Sequence, residues 1–152
     1  MKEMTSINDL RQVKGKWAMD KNVYRERYNH VLQYNSWKRE LANMTDSVKS
    51  PVLTGLPQGD GSSDPTQELA IRRAILTEEI FRVEDVAYRV GFRYGFEGLL
   101  LKWVTTEGLS YDILSARYGV LPVGRHKAHE LRREFYYRYN EEMNKRTLNH
   151  FE

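Results

Sequence analysis

The residues best suited to bind another molecule lie in one C-terminal stretch. Between residues 117 and 138, six Lys and Arg side chains stand against two Glu, a local charge of +4. At 100° per residue, the helix predicted over 123–139 arranges its side chains in stripes along its length. Arg and His on such a stripe can hydrogen-bond to base edges in the major groove of duplex DNA. The predicted outward stripe holds Arg125, His129, Arg132 and Tyr136, with His126 and Arg133 beside it.

The opposite side of this helix is apolar, which predicts that this side packs against the protein core. Its residues are Ala128, Leu131, Phe135 and Tyr139.

Lys127, Arg117 and Arg133 suit contacts with phosphates, which position a protein on DNA without reading its sequence. Charged helix faces are also common on ordinary solvated surfaces. The stretch therefore fits a second possibility, a protein-interaction module whose basic helix binds an acidic partner and no DNA.

The residues before this helix predict a shorter helix and a tight turn. Ser110 is a suitable N-cap for a helix over 111–118. Gly119 can end it, Val120 is expected to fill the corner, and Pro122 suits the first turn of the next helix. A helix, a glycine turn and a longer helix follow each other in this order in a helix-turn-helix.

Other chemistry finds little support in the sequence. His126 and His129 are three residues apart, but they match no zinc-protease spacing and no third ligand is evident, so no metal site is predicted. The chain has no cysteine, which removes disulfides and thiolate chemistry and is compatible with a reducing cytoplasm. The carboxylates have the spacing of helix surfaces, and no nucleophile elbow is present. The sequence predicts neither an enzyme nor a bound cofactor.

Length and composition are typical of one soluble helical unit. The chain has 152 residues, of which 40% are hydrophobic and 30% charged. It contains no apolar run of the roughly 20 residues that a membrane span needs, and its N-terminus does not have the pattern of a secretory signal. Its net charge is only +3, so a nucleic-acid role would rest on the local basic stretch.

The remaining sequence predicts an all-α protein made of a long helical hairpin and a C-terminal helix-turn-helix. One helix is predicted over 22–45, followed by a flexible Pro/Gly/Ser-rich loop over 45–65. Pro65 then begins a second long helix whose apolar residues recur at sevens, fours and threes. That seam could pack on the first helix as an antiparallel hairpin, or it could form a homodimer. Residues 1–91 are thus predicted to form the hairpin or oligomerisation region, and residues 92–146 the DNA-binding region.

Two segments of the chain carry motifs of a known kind. The connector contains Ser50-Pro51, Gly55-Leu-Pro57-Gln-Gly59 and Asp64-Pro65-Thr66. The C-terminal part contains Glu107-Gly-Leu-Ser-Tyr-Asp-Ile-Leu, Gly119-Val-Leu-Pro-Val-Gly-Arg-His-Lys and Arg132-Arg-Glu-Phe-Tyr, which is similar to a sigma-factor region 4 helix-turn-helix. Through these motifs, roughly residues 22–146 resemble small phage and prophage transcription regulators of the RinA/ArpU type.

The resemblance implies a function that composition and periodicity do not show. It implies a late-gene activator that binds double-stranded DNA near a promoter and recruits host RNA polymerase, in the cytoplasm of a bacterial host. A phage packaging component such as a small terminase subunit is the alternative, because it also pairs a helix-turn-helix with an oligomerising helix.

Overall fold

Every element that the structure describes is helical. The computed structural model describes residues 15–49 and 65–150, with side chains described for 15–44 and 65–146. No strand occurs in these ranges, which confirms the all-α prediction. The helices are α1 (Lys21–Val31), α2 (Tyr34–Lys49), α3 (Pro65–Gly91), a 3₁₀ turn (Phe92–Tyr94), α4 (Glu97–Thr105), α5 (Tyr111–Tyr118) and α6 (Arg125–His150).

The single helix predicted over 22–45 is wrong, because α1 and α2 are separate. The side chain of Asp20 caps α1 by accepting hydrogen bonds from the next amides. At the other end, the amide of Gln33 donates to the carbonyl of His30, three residues back, at 3.1 Å. This tighter bond ends α1, and α2 begins at Tyr34.

The predicted 45–65 loop begins later than expected. Helix α2 continues to Lys49, so the first five residues of that segment are helical. Residues 50–64, which hold the rest of the predicted flexible loop, lie outside the described residues.

Helix α3 begins at Pro65, as predicted, and runs against α2 in the opposite direction. The hydroxyl of Tyr34 donates to a Glu84 oxygen at 2.5 Å, whereas Glu40, later in α2, accepts from Arg72, earlier in α3, at 2.9 Å. The apolar seam of α3 is therefore buried within the chain. Its buried members are Leu76, Ile80, Val83, Val86, Ala87 and Val90.

A glycine permits the close approach of α3 and α4. A Cβ atom on Gly91 would lie 2.7 Å from the Cα of Glu97, which is shorter than real contacts of this kind. Gly95 then adopts a φ of 64°, a left-handed conformation that reverses the chain between the two helices.

The core is continuous from the first described helix to the last. Helix α6 packs against α1, α3 and α4. Leu131 and Phe135, which were predicted to lie on the apolar side of the last helix, are buried in this one core together with Trp103 and Leu114. Buried residues from before and after residue 91 belong to this same core. One side of α6 therefore packs against the long helices.

No helix in the described ranges has the length and apolar character needed to cross a membrane.

Candidate functional site

Helix α5 forms where the sequence predicts it. The Ser110 hydroxyl oxygen accepts a hydrogen bond from the amide of Ile113 at 3.2 Å, which satisfies one free donor of the first turn. The helix spans Tyr111–Tyr118, and Gly119 ends it with a φ of 86°. The Ser110 cap therefore sets the start of α5, and the positive φ of Gly119 sets its end before the turn to α6.

A buried side chain, Trp103, and a half-buried one, Tyr111, fix the position of α5 relative to its neighbours. Trp103 of α4 donates from its indole nitrogen to the carbonyl of Leu109 at 2.7 Å. The hydroxyl of Tyr111 donates to the carbonyl of Val123 at 3.1 Å. These bonds hold the segments before and after α5, and therefore the start of α6.

The turn between α5 and α6 differs from the prediction in two respects. Val120 does not fill the corner, because 98% of it is exposed; Leu121 and Val123 are buried instead. Pro122 does not lie in the helix. The amide of Ala128 donates to the carbonyl of Gly124 at 2.9 Å, so the helical hydrogen bonds start there and α6 begins at Arg125, not at residue 123.

The predicted outward stripe of α6 is wrong at Arg132 and Tyr136. Arg132 is 3% exposed, with its guanidinium 4.8 Å from the ring centre of Trp103. Tyr136 is fully buried, and its ring packs 4.9 Å from that of Tyr24 in α1. Burial raises the pKa of Tyr136 to about 12. Because α1, α3 and α4 all cover α6, its buried arc is wider than four apolar residues suggest, and it includes both positions.

Two other predicted residues lie on the flank of α6 that meets α5. Arg125 binds Asp112 at 2.5 Å and stacks over the ring of Tyr111 at 4.8 Å. His129 is half-buried, with its ring 5.3 Å from Trp103 and 6.3 Å from Tyr111. Arg125 is exposed and positioned, whereas His129 contributes mainly to the packing between helices.

The accessible basic positions of this region are fewer than the sequence predicted. His126 is exposed and Arg133 half-exposed, and the helical period places them on the same outward side of α6. Arg117 is exposed on α5. Within the part of the chain whose side chains are described, neither Arg117 nor Arg133 forms an ion pair. Their charges are therefore available to a partner.

The other flank of α6 borders a polar cleft that sequence reasoning did not predict. The cleft has a volume of about 420 Å³. Five cationic side chains line it against two carboxylates, a net charge of +3. The cations are Lys16, Arg89, Arg93, Lys127 and Arg138, and the carboxylates are Glu130 and Glu134.

Aromatic rings hold several of these cations in place. Lys16 and Arg138 lie 4.9 Å and 5.0 Å from the ring centre of Trp17, and Lys127 lies 4.8 Å from that of Tyr94. Hydrogen bonds with Tyr94 and then Glu130 raise the pKa of Lys127. Lys127, which was predicted to contact a phosphate, therefore lies at the edge of a larger basic surface.

No metal site is formed by the described residues, among which no three His, Cys, Asp or Glu side chains are placed to share an ion. The chain matches no known protein-family model, and no curated protein or solved structure is significantly similar to it.

Proposed function

We propose that the protein is a transcription regulator that binds duplex DNA through the first three turns of α6. One observation carries this proposal. The helix is anchored in the core along the side from Ala128 to Tyr139, while the opposite side of its first turns is accessible and basic. A helix held in this way can enter the major groove, which is wide enough for one α-helix. On this proposal α5, the turn and α6 act as a helix-turn-helix.

The accessible residues divide into base contacts and phosphate contacts. His126 and Arg133 point outward from α6 and are the proposed base contacts, since Arg can form two hydrogen bonds with guanine. Arg117 and Lys127 lie to either side and are the proposed phosphate contacts. The N-terminal end of α6 also carries the positive end of the helix dipole, which favours an approaching phosphate.

Arg125 has an intermediate role in this proposal. Its stacking on Tyr111 fixes the guanidinium near the start of α6, but the carboxylate of Asp112 occupies it. Both side chains are largely exposed, so the ion pair is weak and can exchange for a phosphate or a base.

The resemblance to RinA/ArpU regulators supports a more specific proposal. On that resemblance the protein is a phage-encoded activator of late genes that acts through host RNA polymerase in the bacterial cytoplasm, and it can act as a homodimer. The packaging component and the module that binds an acidic protein are the competing functions. Salt-dependent duplex binding distinguishes both DNA-binding functions from the protein-interaction module. A gene position just upstream of packaging genes would distinguish the activator from the packaging component.

The test selects preferred sites from a random duplex pool with the wild-type protein and then compares variants. Arg133→Ala and His126→Ala should each cost about 1 to 3 kcal/mol on the preferred site and reduce its preference over random duplex. Lys127→Ala should weaken all duplexes alike. Equal losses on preferred and random duplex for every variant would make the helix a nonspecific basic surface.

Asp112→Asn is the matched control, and it is expected to change duplex affinity in the opposite direction. It removes the carboxylate that occupies Arg125 and one negative charge near the DNA, so duplex affinity should rise severalfold. A fall in affinity would mean that Asp112 itself orients Arg125 for binding. No enrichment of any duplex by the wild type at low salt would end the proposal and leave the protein-interaction module.

A further inference from the structure

The cleft on the second flank of α6 brings together parts of the chain that are far apart in sequence. Lys16 and Trp17 precede α1, and the end of α3 and the following turn supply Arg89, Val90, Arg93 and Tyr94. Helix α6 supplies Lys127, Glu130, Glu134 and Arg138. Only the fold places them side by side. The cleft does not contribute to the hydrophobic core, because its lining is mainly polar and its cations are at the surface.

The charges in the cleft are not all balanced. Arg89 pairs with Asp85 at 3.0 Å and Glu142 at 3.2 Å, Lys127 with Glu130 at 3.3 Å, and Arg138 with Glu134 at 2.7 Å. Among the residues whose side chains are described, Lys16 and Arg93 have no carboxylate partner. These two side chains therefore carry the positive charge that remains for a ligand.

We propose that this cleft binds phosphate groups of the DNA backbone, beside the groove that α6 enters. This inference rests on the proposed function. Arg93 offers a planar guanidinium that can grip two phosphate oxygens, and Lys16 offers a mobile ammonium. Because Lys127 lines both the cleft and the first turn of α6, a duplex in contact with α6 has its backbone near the cleft. Such contacts add affinity on every sequence and fix the register of α6.

The same chemistry could bind a free phosphate, so the experiment separates the two sources. Wild type and the Lys16→Ala/Arg93→Ala double variant are titrated with preferred and random duplexes over a range of salt concentrations, and separately with inorganic phosphate. Lys38→Ala/Arg39→Ala is the matched control, since it removes one lysine and one arginine from exposed positions on α2. Circular dichroism melting checks that all three proteins are folded.

The expected result is a severalfold loss of affinity for both duplexes in the cleft variant alone. The slope of log K against log salt should become shallower by about two, because each phosphate contact contributes about 0.9. The preference for the selected site should stay unchanged.

Two outcomes would overturn the inference in different ways. If wild type binds duplex and the cleft variant has the same affinity and slope, the inference is wrong and the proposed function stands. If wild type binds no duplex but inorganic phosphate binds in a manner lost in the cleft variant, both fall, and the cleft is a site for a free phosphorylated ligand.

Discussion

Two adjacent arginines of α6 show how much the role of a residue depends on its environment. Arg132 and Arg133 have the same chemistry, and the sequence placed both near the DNA-binding side. In the fold, Arg132 is buried over Trp103, whereas Arg133 is accessible and forms no ion pair with the described side chains. Only the second is accessible to a binding partner.

Arg132→Ala should therefore affect stability and not DNA recognition. The buried side chain of Arg132 places its guanidinium over Trp103, and truncation leaves a cavity there, so we expect a cost of about 2 to 5 kcal/mol in unfolding free energy. Arg132→Met should recover most of that loss, since it refills the space without burying a charge. Chemical denaturation measures both. A fully stable Arg132→Met variant that has lost duplex binding would show that Arg132 does reach the DNA.

Among the helices, α3 and α4 approach each other too closely at Gly91 to leave room for a side chain. Gly91→Ala would place a Cβ 2.7 Å from backbone atoms of Glu97, and backbone cannot move aside as a side chain can. We expect a loss of about 1 to 3 kcal/mol, as for other overpacked sites.

Gly98→Ala is the control for that change. It lies in α4, and a Cβ there meets no atom within 4 Å. Alanine favours a helix over glycine by about 1 kcal/mol, so this variant should be neutral or stabilised. Equal melting temperatures for the two variants would contradict the close approach of α3 and α4.

The sequence predicted elements well where local chemistry determines them. Ser110 and Gly119 set the bounds of α5 through a cap and a left-handed turn, both of which depend on a few neighbouring residues. The break between α1 and α2 was missed because no Pro or Gly marks it. The burial of Tyr136 was missed because three helices cover α6, and a single-helix pattern cannot reveal how many neighbours it has.

The candidate site was predictable only in part, for the same reason. Lys127, His126 and Arg133 lie in one helix, so their period could be read directly. Lys16 and Arg93 meet Lys127 only through the tertiary fold. Their positions in sequence give no signal for this.

At the scale of the whole molecule, Glu79 links three helices. It accepts hydrogen bonds from His30 of α1 and Arg146 of α6, and Arg82 of its own helix lies 3.3 Å away. Burial raises the pKa of Glu79, but these hydrogen bonds and nearby positive charges outweigh it. The pKa falls from 4.5 to about 2.

This shift predicts how stability depends on pH. A carboxyl whose pKa is lower in the folded state stabilises the fold above its unfolded pKa, and that contribution is lost as the pH falls. The contribution of Glu79 should therefore be lost between about pH 4.5 and pH 2. Thermal melting across this range should show a steeper loss in wild type than in Glu79→Gln. Parallel curves for the two proteins would mean that the pKa of Glu79 is not lowered by folding.

The proposed DNA-binding surface of the molecule lies around the first turns of α6. The most direct measurement is backbone amide NMR of the labelled protein, titrated with a duplex selected from the random pool. We predict shifts at Arg117, His126, Lys127 and Arg133, and at Lys16 and Arg93 if the cleft takes part. The outer side of α3, where Phe81 and Tyr88 are exposed, should remain unchanged. Shifts confined to that side of α3, or no shifts at low salt, would show that the first turns of α6 do not form a DNA-binding surface.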